Sequence, residues 1–235
     1  MRQAIWLGAC GLFLRMALAQ TEPNLAEILQ NVSQTYKAAS EYELVADLAE
    51  FKTGNSKGGT GHMLFAFKSP SRYRMKMSGD MGDPELTKMV IVHDGSTLWT
   101  YTPETNEYDS TPAGELTNDA PGDLGDMAPA FQDHVMMWRY RGATDFVDGA
   151  KFLREEATEI GGAKVDCYVV TVSPKVGGSR SVYTWWVDNQ RSLILREEDV
   201  RSSTVFTSIK LDEPLPDDLF KFEPPPGARK IENQR

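Results

Sequence analysis

The sequence predicts a mainly β fold with a few helices, an α+β domain built on a single antiparallel sheet. The fold class rests on three features. Apolar spacing changes from helical to alternating after the first forty residues, glycine- and aspartate-rich turns follow at short intervals, and no linker rich in Pro or Ser divides the chain. The 235 residues are 40% hydrophobic and 25% charged, an ordinary globular composition. One all-β domain of about 200–250 residues is a common size. Asp and Glu number 34 against 25 Lys and Arg, for a formal net charge of -9. Such an acidic surface repels phosphate backbones and argues against nucleic acid as a general partner.

The first residues read as a signal peptide over 1–19, leaving a single domain over 20–235. Arg2 supplies the positive start, Ala4 to Leu14 the apolar run, and Ala17-Leu18-Ala19 the small-x-small cleavage pattern. Arg15 stops that run short of the roughly 20 residues a membrane span needs. Cleavage after Ala19 leaves 216 residues and, with Arg2 and Arg15 gone, takes the formal charge from -9 to -11. A rival reading takes Leu7-Gly8-Ala9-Cys10 as a lipoprotein box with Cys10 as the anchor, although only nine residues precede it. After cleavage Cys167 is the one remaining cysteine, which excludes an internal disulfide. Its strand-like surroundings make it a small buried side chain rather than a reactive thiol.

The clearest helix spans Glu22 to Lys37, where Leu25, Ile28, Leu29, Val32 and Tyr36 form one apolar stripe. The period then becomes two. Arg72 to Met77 alternates cation and large apolar group, and the row Arg72, Arg74 and Lys76 reads as the wet face of a strand. Further strands are expected over Tyr42–Phe51, Gly61–Lys68, Lys88–His93, Thr97–Thr102 and Glu107–Thr111. Five more follow over Phe152–Ile160, Lys164–Ser173, Arg180–Val187, Leu193–Val200 and Ser203–Leu211. Gly58-Gly59, Asp94-Gly95, Gly161-Gly162, Gly177-Gly178 and Asp188-Asn189 mark the turns of a meander. Ala113 to Ala128 reads as a loop, and Pro129 to Tyr140 as a helix laid across the sheet.

Several strands are apolar on both faces, among them Met63 to Phe67, Met89 to Val92 and Val182 to Val187. A sheet of this kind needs two coverings, or one covering and a bound apolar ligand. Ten Met and five Trp would make a cavity lining large and adaptable, but a plain packed core fits the same pattern. Chemistry finds no foothold. His62, His93 and His134 lack zinc spacing and read as surface or strand-edge residues. Asp119, Asp123 and Asp126 do not match a calcium loop, and no hydrolase, NTPase or dinucleotide motif occurs. No cofactor or metal is expected, and no enzyme activity.

Four stretches resemble the periplasmic outer-membrane lipoprotein carriers and their LolA-like relatives. These are Ile28 through Tyr36 to Tyr42; Phe67-Lys68-Ser69-Pro70-Ser71-Arg72-Tyr73-Arg74-Met75; Val92-His93-Asp94-Gly95-Ser96-Thr97-Leu98-Trp99-Thr100-Tyr101; and Leu219-Phe220-Lys221-Phe222-Glu223-Pro224-Pro225-Pro226-Gly227-Ala228. The second is similar to the family's strand–Pro–strand corner, the third to its DG-x-x-LW-x-Y hairpin, and the fourth to its LF-x-F-x-PP-x-GA end. Val187-Asp188 after a tryptophan pair is similar to its penultimate hairpin.

The resemblance implies a single curved antiparallel sheet forming an open half-barrel, its concave apolar face covered by helices and holding acyl chains. On that template Phe65, Phe67, Tyr73, Met75, Met77, Ile91 and Trp99 face the cavity, and Met136 and Met137 belong to a lid around Phe131 to Trp138. The enterobacterial carriers have an arginine before the corner proline; here it is Ser69, which favours a broader LolA-like protein binding another lipid or hydrophobic partner. The implied function is a periplasmic carrier or chaperone for a lipid acyl chain or a lipoprotein. It would be a monomer that meets membrane-protein donors and acceptors transiently. An envelope-stress regulatory protein sensing lipid through the same fold is the alternative, and a secreted enzyme using scattered carboxylates has no motif in its favour.

Overall fold

The computed structural model describes residues 23–52, 57–69, 71–80, 88–112, 140–174 and 182–232. The signal peptide, Cys10, the 113–128 loop, His134, Met136, Met137 and the lid segment all lie outside the described residues.

Helix α1 (Leu25–Ala38) carries Glu27 in its first turn and Lys37 in its last, each at the end its charge favours. Its stripe of Ile28, Leu29, Val32, Ser33 and Tyr36 is buried. The strands are β1 (Glu41–Glu50), β2 (Gly59–Lys68), β3 (Arg72–Asp80), β4 (Met89–His93), β5 (Thr97–Thr102) and β6 (Glu107–Pro112). After a short helix α2 (Ala143–Phe146) come β7 (Val147–Ile160), β8 (Ala163–Pro174), β9 (Tyr183–Asp188), β10 (Ile194–Glu198), β11 (Ser202–Leu211) and β12 (Arg229–Lys230). They form one sheet in the order β12-β6-β5-β4-β3-β2-β1-β11-β10-β9-β8-β7. The sheet is open, with β12 and β7 as its edges, and makes the half-barrel that the resemblance implies. No described helix is long and apolar enough to cross a membrane.

All neighbouring strands run antiparallel except β12, which pairs in parallel with β6. Two polar residues carry no period-two signal, so β12 was illegible in the sequence. Asp94-Gly95 turns β4 into β5 and Gly161-Gly162 turns β7 into β8, as expected, while Gly177-Gly178 lies outside the described residues. At Gly95, φ of 106° lies in a region that L side chains rarely adopt. At Gly79 an added Cβ would fall 2.3 Å from the Thr60 carbonyl and 2.4 Å from Gly61 Cα, so β2 and β3 can approach only with glycine there.

Both faces of β2 and β3 are covered. The inner face, on the α1 side, buries Tyr42, Leu44, Met63, Phe65, Tyr73, Met75, Ile91, Trp185 and Phe206 in one core. The outer face of β2 and β3 lies under the C-terminal strap, where Ala66, Leu215 and Phe220 form a second cluster. That strap corrects the expectation for the cationic row. Lys68 pairs with Glu41 and Asp217, Arg72 pairs with Asp217, and Arg74 donates to the Leu219 carbonyl at 3.2 Å. Lys76 alone of the row stays exposed. The C-terminal segment supplies the covering: Asp217 pairs with Lys68 and Arg72, and Phe220 lies under the Arg72 guanidinium and joins Ala66 and Leu215.

Candidate functional site

The alternation of β1 to β4 places three register rows on the inner face. The first is Tyr42, Phe67, Tyr73 and His93, the second Leu44, Phe65, Met75 and Ile91, and the third Ala46, Met63, Met77 and Met89. Each row crosses four strands because paired residues of adjacent antiparallel strands share a face. The rings of the first row stack. Tyr42 and Phe67 lie 4.9 Å apart between centroids and Tyr73 and His93 5.3 Å, with interplanar angles of 18° and 5°. Phe65 bridges to the second row, 6.0 Å from Tyr42 and 6.1 Å from Tyr73.

The structure thus brings Phe65, Phe67, Tyr73, Met75, Met77 and Ile91 together on one surface, all at most 6% exposed. Trp99 does not join them. It pairs with Val92, not Ile91, and so faces the other side of the sheet. There its ring stacks on Phe222 of the strap at 5.2 Å, its Nε1 donates to Asp94 Oδ2 at 3.1 Å, and Lys230 lies over it. Parity along β5 places Leu98 and Thr100 inward instead.

His93 corrects a second expectation. It is buried at 1% exposure, not at the surface. Its Nδ1 accepts from the Gly95 amide at 3.3 Å, and among the described residues its Nε2 makes no hydrogen bond of normal geometry. Burial lowers its pKa, opposed by the Ser71 carbonyl and the Asp94 carboxylate. His62 behaves as expected, on the surface against Asp47 at 2.7 Å. Cys167 is fully buried, and burial pushes its thiol up to about 11, so it is inert at neutral pH.

The remainder of the inner face, over β8 to β11, is held by directional bonds. Trp185 Nε1 donates to Glu197 Oε2 at 2.8 Å, and the Tyr140 hydroxyl donates to the same oxygen at 3.3 Å. The Ile194 amide donates to the Tyr36 hydroxyl at 3.1 Å, fastening α1 to the sheet. Ser33 Oγ donates to the Arg141 carbonyl at 2.5 Å. Arg141 then lays its guanidinium over the Phe67 ring, 5.5 Å from the centroid. Sequence reasoning missed Tyr42, Met63, His93 and Arg141. The first two carried a usable signal, since they stand at inner positions of clearly alternating strands; Arg141 carried none.

Among the described residues no group of His, Cys, Asp or Glu is placed to hold a metal ion. A pocket of about 270 Å³ beside α1 is lined by Asn24, Glu27, Asn31, Tyr168, Asp188 and Asn189. Asp188 is already committed there to the Gln190 and Arg191 amides and to Arg191 Nε.

The fold is an open antiparallel sheet with a helix on its apolar inner face. No family model matches the chain. An uncharacterized protein of Methanocaldococcus jannaschii is 27% identical over 209 residues, or 88% of this chain and 53% of that protein. The chain therefore spans about half the length of the curated relative it matches. Among solved structures, an uncharacterized conserved protein from Thermus thermophilus shares the fold with a TM-score of 0.50 at 10% identity, covering 87% of this chain and 96% of that one. A LolA superfamily protein from Nitrosomonas europaea is similar with a TM-score of 0.39 at 14% identity, covering 83% of this chain and 96% of that one.

Proposed function

We propose that this protein is a non-enzymatic periplasmic carrier that takes the acyl chain of a lipid or of a lipidated protein onto the inner face of β1 to β4. The observation that supports the reading is the set of three register rows, a ring- and thioether-rich surface continuous across four strands. Each methylene moved from water onto such a surface gains about 0.8 kcal/mol, so a chain needs area more than directional bonds. Met63, Met75, Met77 and Met89 suit that task, because unbranched thioethers repack around varied shapes. These side chains are buried in the closed arrangement, so uptake requires the covering of the inner face to withdraw and the chain to replace it.

Native mass spectrometry of the protein secreted through its own leader, followed by solvent extraction, tests the reading. One acylated species per chain is the expected result. An apo mass that also ignores added palmitate overturns it. Met75→Asp should abolish palmitate retention, while Trp99→Ala on the outer face should leave it intact. Circular dichroism checks that each variant is folded, and Met77→Gln gives a milder second probe of the same surface.

A further inference from the structure

The inner face is chemically graded. Of its three rows only the first carries polar atoms, namely the hydroxyls of Tyr42 and Tyr73 and the imidazole of His93. Successive rows are two residues apart along each strand, roughly 7 Å, so the third row lies on the order of 13 Å from the first. The first row is also the one nearest the turn between β2 and β3, at that end of the face.

Arg141 sits over this row. Its guanidinium lies above Phe67 and beside the Tyr42 hydroxyl, where burial raises the phenol pKa and the cation opposes that rise. The other described arginines each meet a carboxylate or a backbone carbonyl. Arg72, Arg154, Arg191, Arg196, Arg201 and Arg229 pair with carboxylates, and Arg74 donates to a carbonyl. Of the arginines among the described residues, Arg141 alone meets neither a carboxylate nor a carbonyl; its side chain hydrogen-bonds the Tyr42 hydroxyl. Without a carboxylate among the described residues, this half-buried cation has one phenol oxygen and a ring face against its desolvation.

His93 supplies an independent observation on the same row. Its Nδ1 accepts from the Gly95 amide, so the neutral ring carries its proton on Nε2, the ring atom far from the backbone. Among the described residues that buried Nε2 makes no hydrogen bond of normal geometry, although the Ser71 carbonyl lies near enough to the ring to act on its pKa. Arg141 and His93 both present donors that an oxyanion would satisfy, and a guanidinium is shaped to grip one through two parallel bonds.

We infer that the ligand is an anionic amphiphile, its oxyanion head set on Arg141 and the Tyr42–Phe67–Tyr73–His93 row and its chain laid across Met75 toward Met77 and Met89. The inference rests on the carrier reading and adds to it the ligand's charge and direction. Carboxylate and phosphate heads share the required chemistry.

Equilibrium binding by the full chain tests it with three probes of equal chain length: oleate, 1-oleoyl lysophosphatidate and oleyl alcohol. At least one acid should bind about tenfold tighter than the alcohol, the gain of one charge-assisted contact. The tighter acid identifies the head as carboxylate or phosphate. Arg141→Gln should erase the preference while leaving the alcohol's affinity unchanged, and Arg141→Lys should restore most of it. Alcohol binding as tight as both acids, or a preference that survives Arg141→Gln, overturns the inference and leaves the carrier reading standing. Failure of all three probes to bind overturns the carrier reading and the inference with it.

Discussion

The two halves of the inner face are buried to the same depth but held by different physics. Over β8 to β11, Trp185 and Tyr140 converge on the Glu197 carboxylate, and Tyr36 ties α1 to the Ile194 amide. Over β2 to β4 the surface is built of Phe65, Met63, Met75, Met77 and Ile91, whose contacts have no preferred direction. Directional bonds fix one arrangement, because breaking any of them strands a buried polar group. Apolar contacts among thioethers permit several arrangements of similar energy. One half can therefore serve as a frame while the other repacks around a guest.

The largest expected effect breaks the frame. Trp185→Ala removes a fully buried ring and leaves Glu197 short of a donor, and should cost about 3–5 kcal/mol in urea unfolding. A cost below that of an ordinary methylene deletion would mean that this half is not locked. The adaptable half should tolerate a change of shape at constant volume. Met75→Leu, although equally buried, should cost less than about 1.5 kcal/mol while weakening uptake of varied chains. A loss as large as that of Trp185→Ala would erase the distinction.

The smallest effect lies at the turn beside the adaptable half and shows only in acid. Burial raises the Asp94 pKa, but the Ser96 and Thr97 amides and Trp99 Nε1 outweigh it and bring the carboxyl down to about 2. Its contribution to stability is therefore complete above the unfolded value of about 4 and is lost as pH falls toward 2. Asp94→Asn should be less stable than the parent at pH 7, with the gap closing at pH 3. A gap independent of pH would assign the effect to the turn's shape instead of its charge.

The alternation in β1 to β4 and the stripe of α1 were legible in the sequence because each depends on residues adjacent along one element. The inward side of Phe65, Phe67, Tyr73, Met75, Met77 and Ile91 was implied by the family resemblance, because these strands are apolar on both faces and alternation alone does not choose between them. Trp99 was misplaced because it sits across a turn from Ile91. The side it takes depends on the register set by Asp94-Gly95, which pairs it with Val92. The cationic row of β3 was legible as a row, but not its partner, since Asp217 lies 145 residues beyond Arg72.

The sequence by itself determined the class of fold, the periodic faces of the strands and the buried, inert state of Cys167, because each follows from local spacing and composition. The tertiary structure alone decided which apolar face stays under α1 and which lies under the C-terminal strap. It also decided that Arg141 lies over the row that ends at His93. Those outcomes depend on contacts between distant segments, whose energies are set by register and geometry that no local pattern encodes.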